Sequence, residues 1–271
     1  MLRSFALFGL FATAALSSAQ FHAPSALWQI GAPNRASFAG AVSISRSGAY
    51  AIYTQQILSQ ESLSAAHVYD ISTGALKWSL PCRAWGSFKP LVGFDAQDNL
   101  LFGLPQRGLW RQDIATREIR QLTTSDSPVS MLKVSPDGKK VAYFYANENG
   151  ATVGLRLLSL ESSVVLCSIP FVNGSQFFDF EWMPDSARVV VPGPNVYGLD
   201  GTQIVTRTNP GGTIVLSPDG TVIYSIISGW DGGVEVRASK ANGNRIWTTP
   251  WPAGAAIEDA LTPDGKYFLG L

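Results

Sequence analysis

Acidic residues in two parts of the sequence lie shortly before the same kind of turn, where their side chains could bind a cation. Asp179 and Glu181 precede one copy of the turn, and Glu258 precedes another. If the strands that carry them run side by side, the carboxylates converge and offer the oxygen ligands that Ca²⁺ prefers. Lys133 occupies the position equivalent to Glu181, so the same spacing also fits charges that pair with one another or with water. Two interpretations therefore stay open, a calcium site and an ion-paired cluster, and no other cofactor is expected.

Sequence motifs of common enzymes are absent. The chain has no G-x-S-x-G elbow, no phosphate-binding P-loop and no H-E-x-x-H zinc motif. Its only two histidines, His22 and His67, stand far apart in the sequence, which makes a catalytic triad or a histidine-rich metal site hard to assemble. These observations favour a protein that binds a partner over an enzyme.

Large aromatic and charged residues occur in the longer and more varied connections between strand-like segments. The candidates for partner binding are Trp85, Arg107, Trp230, Asp231 and Trp251. Tryptophan and arginine are over-represented among interface hot spots, and variable loops on a rigid scaffold often carry function. Each aromatic residue could instead pin its loop to the core. For the set as a whole, we expect a surface that binds a protein or peptide.

The elements that position these residues come from an internal repeat. Near-identical turns followed by apolar runs appear as "SPDGKKVAYF" (Ser135–Phe144), "SPDGTVIY" (Ser217–Tyr224) and "TPDGKYFL" (Thr262–Leu269), with a diverged copy, "MPDSARVV" (Met183–Val190). Proline presets φ, aspartate caps the local backbone, and glycine supplies the positive φ of a tight corner. Residues before each turn alternate in polarity with a period of two. The repeat therefore predicts an antiparallel hairpin in each copy.

A second hairpin signal follows the first in each unit, as in Val68–Leu80 and Val234–Thr249. Each unit thus has four strands. The first turns of the units begin at Ser45, Asp95, Ser135, Met183, Ser217 and Thr262. Their mean spacing of roughly 43 residues is typical of propeller blades. The prediction is an all-β fold, a β-propeller of six four-stranded blades. We expect the N-terminal strand Ala26–Gly31 to pair with the incomplete last blade and close the ring.

These repeats resemble those of a known class of proteins. "SPDGKKVAYF" and its copies are similar to the WD-repeat-like propellers of TolB-type bacterial envelope proteins, and Tyr69–Trp78 resembles strand pairs of quinoprotein-type propellers. The resemblance implies the fold and says little about function, because propellers host many unrelated tasks. The expected function is non-enzymatic binding of a protein or peptide partner through the loop face opposite the Pro-Asp-Gly turns. The alternative is an enzyme (hydrolase, lyase or quinoprotein-like oxidoreductase) with its site at the central channel.

The N-terminus predicts export. Arg3 is followed by the apolar run Phe5–Leu16 and by small residues ending at Ala19, the pattern of a cleavable signal peptide over residues 1–19. Residues 20–271 then form one propeller domain, periplasmic or secreted and monomeric, without a membrane span. Removing Arg3 leaves 19 basic residues against 20 acidic ones, a net charge of −1. A nucleic-acid partner is not expected, since such binding needs clustered lysine and arginine.

Overall fold

Five four-stranded antiparallel sheets make up the described part of the protein. The structure is a computed structural model. It describes residues 37–57, 64–82, 92–104, 108–123, 129–146, 152–171, 179–191, 195–205, 213–228 and 234–251. Within these ranges the secondary structure consists of strands and turns, and no helix capable of crossing a bilayer was found there. The predicted all-β class is confirmed.

Each sheet is a blade whose four strands follow one another in the sequence. Blade one consists of β1 (Ser37–Ile44), β2 (Tyr50–Ile57), β3 (Ser64–Asp70) and β4 (Leu76–Cys82). Blade two consists of β5 (Val92–Phe94), β6 (Leu100–Leu104), β7 (Gly108–Gln112) and β8 (Ile119–Gln121). Blade three consists of β9 (Val129–Val134), β10 (Lys140–Ala146), β11 (Thr152–Ser159) and β12 (Val165–Pro170).

Blades four and five continue the pattern. Blade four consists of β13 (Glu181–Trp182), β14 (Arg188–Val191), β15 (Asn195–Gly198) and β16 (Gln203–Val205). Blade five consists of β17 (Thr213–Leu216), β18 (Val222–Ser228), β19 (Val234–Lys240) and β20 (Arg245–Trp251). The first strands of successive blades contact one another, β1 with β5, β5 with β9, β9 with β13 and β13 with β17. First strands therefore lie innermost, as in a β-propeller.

The hairpin turn after each first strand follows from its residues. Ser45, Ser135 and Ser217 each accept a hydrogen bond through Oγ from the backbone N–H five residues later, at distances of 2.9–3.1 Å. In blade two Asp95 takes this role and accepts N–H bonds from Gln97 and Asn99. The side chain thus satisfies backbone groups that the tight corner leaves unpaired.

All five described first turns have a residue at positive φ in their fourth position, which is glycine in three copies, including Gly48, and another residue in two. Gly138 and Gly220 have φ of 71° and 69°, whereas Asp98 and Ser186 occupy the same position with φ of 60° and 56°. Aspartate tolerates the left-handed region better than most residues, and glycine adopts it without strain. This tolerance explains why the motif could diverge to Asp98 without losing the turn, whereas Ser186 keeps the same conformation although serine rarely adopts it.

Apolar clusters between consecutive blades hold the molecule together. Blades one and two share Ile52, Val68, Leu100 and Phe102, and blades three and four share Phe144, Leu157, Phe180 and Val189. Two further clusters join blade two to three and blade four to five. A single sheet exposes both of its apolar faces, so each blade depends on stacking against its neighbours.

Five of the six predicted units are therefore confirmed as four-stranded blades. The turn at Thr262, the strand Ala26–Gly31 and the signal peptide over residues 1–19 lie outside the described residues. The sixth blade, the closure of the ring and the single domain over residues 20–271 stay predictions.

Candidate functional site

An ion cluster joins the innermost strands of blades three and four. Lys133 Nζ on β9 lies 3.1 Å from Asp179 Oδ1 and forms a second ion pair with Glu181 on β13. The side chain of Asp179 is only 3% exposed, whereas those of Lys133 and Glu181 are 24% and 30% exposed. The cluster thus has a buried end at Asp179 and a wetter end at Glu181.

Electrostatics keep Lys133 charged. Burial alone would lower the pKa of its ammonium, but the carboxylates of Glu181 and Asp179 outweigh that effect and raise the pKa above its ordinary value. Lys133 also lies 5.8 Å from the centre of the Phe180 ring, within the range of a cation–π contact. The ammonium is consequently the cation of this site at neutral pH.

Backbone and aromatic contacts orient the cluster. Trp182 donates a hydrogen bond from Nε1 to the backbone oxygen of Lys133 across the two blades, at 2.9 Å. Phe180 packs edge-on against Phe144 of blade three at a centroid distance of 4.9 Å. These contacts fix the indole and the two inner strands relative to one another.

The arrangement bears directly on the predicted calcium ligands. Asp179 and Glu181 are brought together, as their spacing before the turn predicts, but Lys133 lies where a metal ion would sit between them. Glu258 lies outside the described residues. Within the described ranges no group of three or more histidine, cysteine, aspartate or glutamate residues is placed to hold a metal. Calcium binding by Asp179, Glu181 and Glu258 stays a prediction. It would require Asp179 and Glu181 to release Lys133 and bind the ion in its place.

The first turns of the blades form a continuous edge, which we call the turn rim. Asp98 of the second turn accepts hydrogen bonds from Ser47 of the first turn. The Ala96 N–H donates to the Gly138 oxygen at 3.1 Å, and the Asp137 N–H donates to Ser186 Oγ at 2.9 Å. Successive turns are therefore tied to one another from blade one to blade four.

A cleft of about 400 Å³ opens at the turn rim beside the ion cluster. Its lining includes Pro136, Pro184 and Pro218, the second residues of three successive turns, together with Glu181 and Leu216. The cleft was not predicted from the sequence, because the proline of each turn was expected only to preset φ. The cleft could have been predicted from the proline that recurs at the second turn position in three consecutive blades. Each of these prolines follows a strand with an apolar end.

The predicted partner-binding residues lie in or next to connections assigned from the sequence to the opposite edge, which we call the loop rim. In the described blades, second strands end and third strands begin at this edge, and so do the last strand of one blade and the first strand of the next. Trp85, Arg107, Trp230 and Asp231 lie outside the described residues. Trp251 is the last residue of β20, paired in register with Val234 at the loop-rim end of blade five. The binding role of all five stays a prediction.

His67 lies in the middle of β3 and in register with Ser79 of β4. Its Nδ1 is 2.7 Å from Ser79 Oγ, and burial lowers the pKa of the imidazole. This is a cross-strand hydrogen bond between adjacent side chains on the sheet. It agrees with a structural role for His67.

Comparison with known proteins defines the fold and leaves the family open. No protein-family model matches the chain, and no curated protein matches it. A chain of the crystal structure of the mitotic checkpoint complex is similar, with a TM-score of 0.61 and 15% identity over 86% of this chain and 71% of that one. Hydrazine synthase of Kuenenia stuttgartiensis is similar with a TM-score of 0.59 and 16% identity, over 84% of this chain and 72% of that one.

TolB from Acinetobacter baumannii is also similar, with a TM-score of 0.51 and 16% identity. The match covers 80% of this chain and 55% of TolB. At such identities the likeness concerns the fold alone. The resemblance to WD-repeat-like and TolB-type propellers that the repeats predict is therefore confirmed at the level of the fold.

Proposed function

We propose that this chain is an exported β-propeller that binds a protein or peptide partner without catalysing a reaction. The partner would bind at the loop rim, through Trp85, Arg107, Trp230, Asp231 and Trp251. Export is supported by the N-terminal sequence of residues 1–19, which has the features of a cleavable signal peptide. The protein would then work in the periplasm or outside the cell.

The contrast between the two rims carries this proposal. At the turn rim, hydrogen bonds between neighbouring turns leave little freedom, and the short turns repeat nearly the same sequence. Connections assigned to the loop rim differ in length from three residues (105–107) to ten (171–180). A rigid scaffold with varied connections on one edge is the usual arrangement of a recognition surface. The similar chain from the mitotic checkpoint complex belongs, by that name, to a multiprotein assembly, which accords with partner binding.

The enzymatic alternative would use the central channel. One similar structure is that of an enzyme, hydrazine synthase. For this chain, acid–base work by Asp179 or Glu181 would require that carboxylate to be released from Lys133. Both carboxylates are instead engaged in ion pairs with Lys133 in the structure. Partner binding is therefore the function we propose.

The test is an affinity pull-down in which the full-length protein captures binding partners from the envelope and secreted fractions of the cells that produce it. A captured protein is identified, purified and titrated against three forms: wild type, the double variant Trp230→Ala/Trp251→Ala, and the control Trp247→Ala. Trp247 lies on the outermost strand of blade five and is 42% exposed, so the control removes a comparable side chain away from the loop rim.

The proposal predicts that wild type and Trp247→Ala bind equally, and that the double variant binds at least about a hundredfold more weakly. Loss of one hot-spot tryptophan commonly costs about 2 kcal/mol or more. Equal affinity of all three forms would place the binding surface elsewhere and contradict the proposal.

A further inference from the structure

We propose that the cleft at the turn rim binds a lysine or arginine side chain presented by an extended segment of a partner protein. The cleft lies between blades three, four and five, on the edge opposite the loop rim. It is a separate site from the partner-binding surface proposed above.

The size and walls of the cleft suit a long side chain with an apolar stem. Its volume of about 400 Å³ falls within the range of about 300–1,000 Å³ that is typical of ligand-binding clefts. Pro136, Pro184 and Pro218 supply ring surfaces, and Ile214 and Leu216 add aliphatic ones. The methylene groups of lysine and arginine pack along such surfaces while their charged ends reach a polar partner.

The negative charge in the lining of the cleft favours a cationic side chain as the ligand. Glu181 is a carboxylate in the lining of the cleft, and it belongs to a cluster in which one ammonium, Lys133, faces two carboxylates. These three groups together carry one negative charge. A second cation that reaches Glu181 from the cleft would form charge-assisted hydrogen bonds, which are stronger than those between neutral groups. A carboxylate of the partner would be repelled by the same residue.

A cation from the partner can bind Glu181 without leaving Lys133 unpaired, because Asp179 at the buried end of the cluster also pairs with Lys133. The side chain of Asp179 is 3% exposed, and its Oδ1 lies 3.1 Å from Lys133 Nζ. When the incoming cation shares or takes over Glu181, Lys133 keeps Asp179 as its counterion. No buried charge is left without a partner, which is the costly outcome in such clusters.

The wall beside Glu181 is already in place before a ligand arrives. Trp182 is 5% exposed, lines the cleft, and is held by the hydrogen bond from its Nε1 to the Lys133 backbone oxygen. Interior packing and this hydrogen bond fix the orientation of the indole. Binding a side chain here consequently requires little ordering of the protein, which lowers the free-energy cost of association.

The experiment compares two capped tripeptides, acetyl-Gly-Arg-Gly-amide and acetyl-Gly-citrulline-Gly-amide. Citrulline has nearly the shape of arginine without its charge. Each peptide is titrated against the full-length ¹⁵N-labelled protein, and the indole N–H resonance of Trp182 reports occupancy of the cleft. The variants are Glu181→Gln and, as the matched control, Glu161→Gln, an exposed glutamate on the hairpin turn between β11 and β12.

The proposal predicts a saturable shift of the Trp182 resonance with the arginine peptide and at least about tenfold weaker binding of the citrulline peptide, because a hydrogen bond to a charged group is lost. Glu181→Gln should weaken arginine binding by at least about tenfold, and Glu161→Gln should leave it unchanged. A second variant, Val215→Lys, introduces a competing internal cation on the cleft wall and should also weaken binding. Equal binding of the two peptides, unchanged binding by Glu181→Gln and Val215→Lys, or no shift with the arginine peptide would overturn the proposal.

Discussion

Replacing Lys133 by methionine should destabilise the protein by leaving a buried carboxylate without its counterion. Removing one member of a fully buried ion pair costs about 3–5 kcal/mol. Here Asp179 is 3% exposed, but Lys133 and Glu181 are 24% and 30% exposed, so water screens part of the change. We therefore expect a loss of about 2–3 kcal/mol in the free energy of unfolding. Methionine keeps most of the apolar stem, so the loss reports the charge more than the packing.

Urea unfolding at pH 7 measures the effect, and a double-mutant cycle isolates its cause. Adding Asp179→Asn to Lys133→Met removes the stranded charge and should recover at least about 1 kcal/mol. The reasoning is refuted if Lys133→Met costs less than about 0.5 kcal/mol. It is also refuted if the double variant is as unstable as the sum of the two single variants.

The ion pairs of Lys133 also predict that the free energy of unfolding falls at high pH. The carboxylates raise the pKa of Lys133 in the folded protein above its ordinary value. Stabilisation by the ion pairs is thus fully present below the unfolded-state pKa of about 10.4. It is lost as the pH rises through the higher folded-state pKa. Lys133→Met should lack this step in a plot of unfolding free energy against pH.

Three further changes test the turns and the core. Gly138→Ala should lower the free energy of unfolding in urea by at least about 1 kcal/mol more than Gly48→Ala. Both glycines have positive φ, but only at Gly138 would an added Cβ lie 2.7 Å from Ala96. The pKa of Asp137 is lowered to about 2, since burial, which would raise it, is outweighed by hydrogen bonds from Lys140 and Ser135. The ionised carboxylate of Asp137 should therefore lose its stabilising effect as the pH falls from about 4 towards 2. In Asp137→Asn the free energy of unfolding should change less with pH over this range. Phe102→Ala, at a side chain 1% exposed between blades one and two, should cost about 3–5 kcal/mol by creating a cavity.

Much of the fold follows from short-range signals in the sequence. The turns at Ser135 and Ser217 carry proline, aspartate and glycine at the positions that a tight corner requires, and both are hairpins in the structure. Hydrophobic alternation before each turn predicted a strand there, and each of the five described first turns is preceded by one. The pairing of Lys133 with Glu181 was also within reach, because equal offsets from equivalent turns place residues side by side on adjacent inner strands.

Other features depend on contacts that no local pattern encodes. The burial of Asp179, compared with the exposure of Glu181, depends on how deeply each side chain enters the interface between blades three and four. The cleft among Pro136, Pro184 and Pro218 exists only because three turns converge at one rim. Ser186 at positive φ could not be read from its residue type, since serine seldom adopts that conformation. Such features arise from packing between blades.

Hydrogen exchange of the protein alone and in complex with its captured partner tests the central claim most directly. The account predicts that binding slows amide exchange in segments of the loop rim, namely 83–91, 105–107 and 229–233. The hairpins of the turn rim that do not line the cleft, such as the one around Gly48, should exchange at the same rate in both states. Protection confined to the turn rim or to the outer strands, with the loop-rim segments unchanged, would contradict the account.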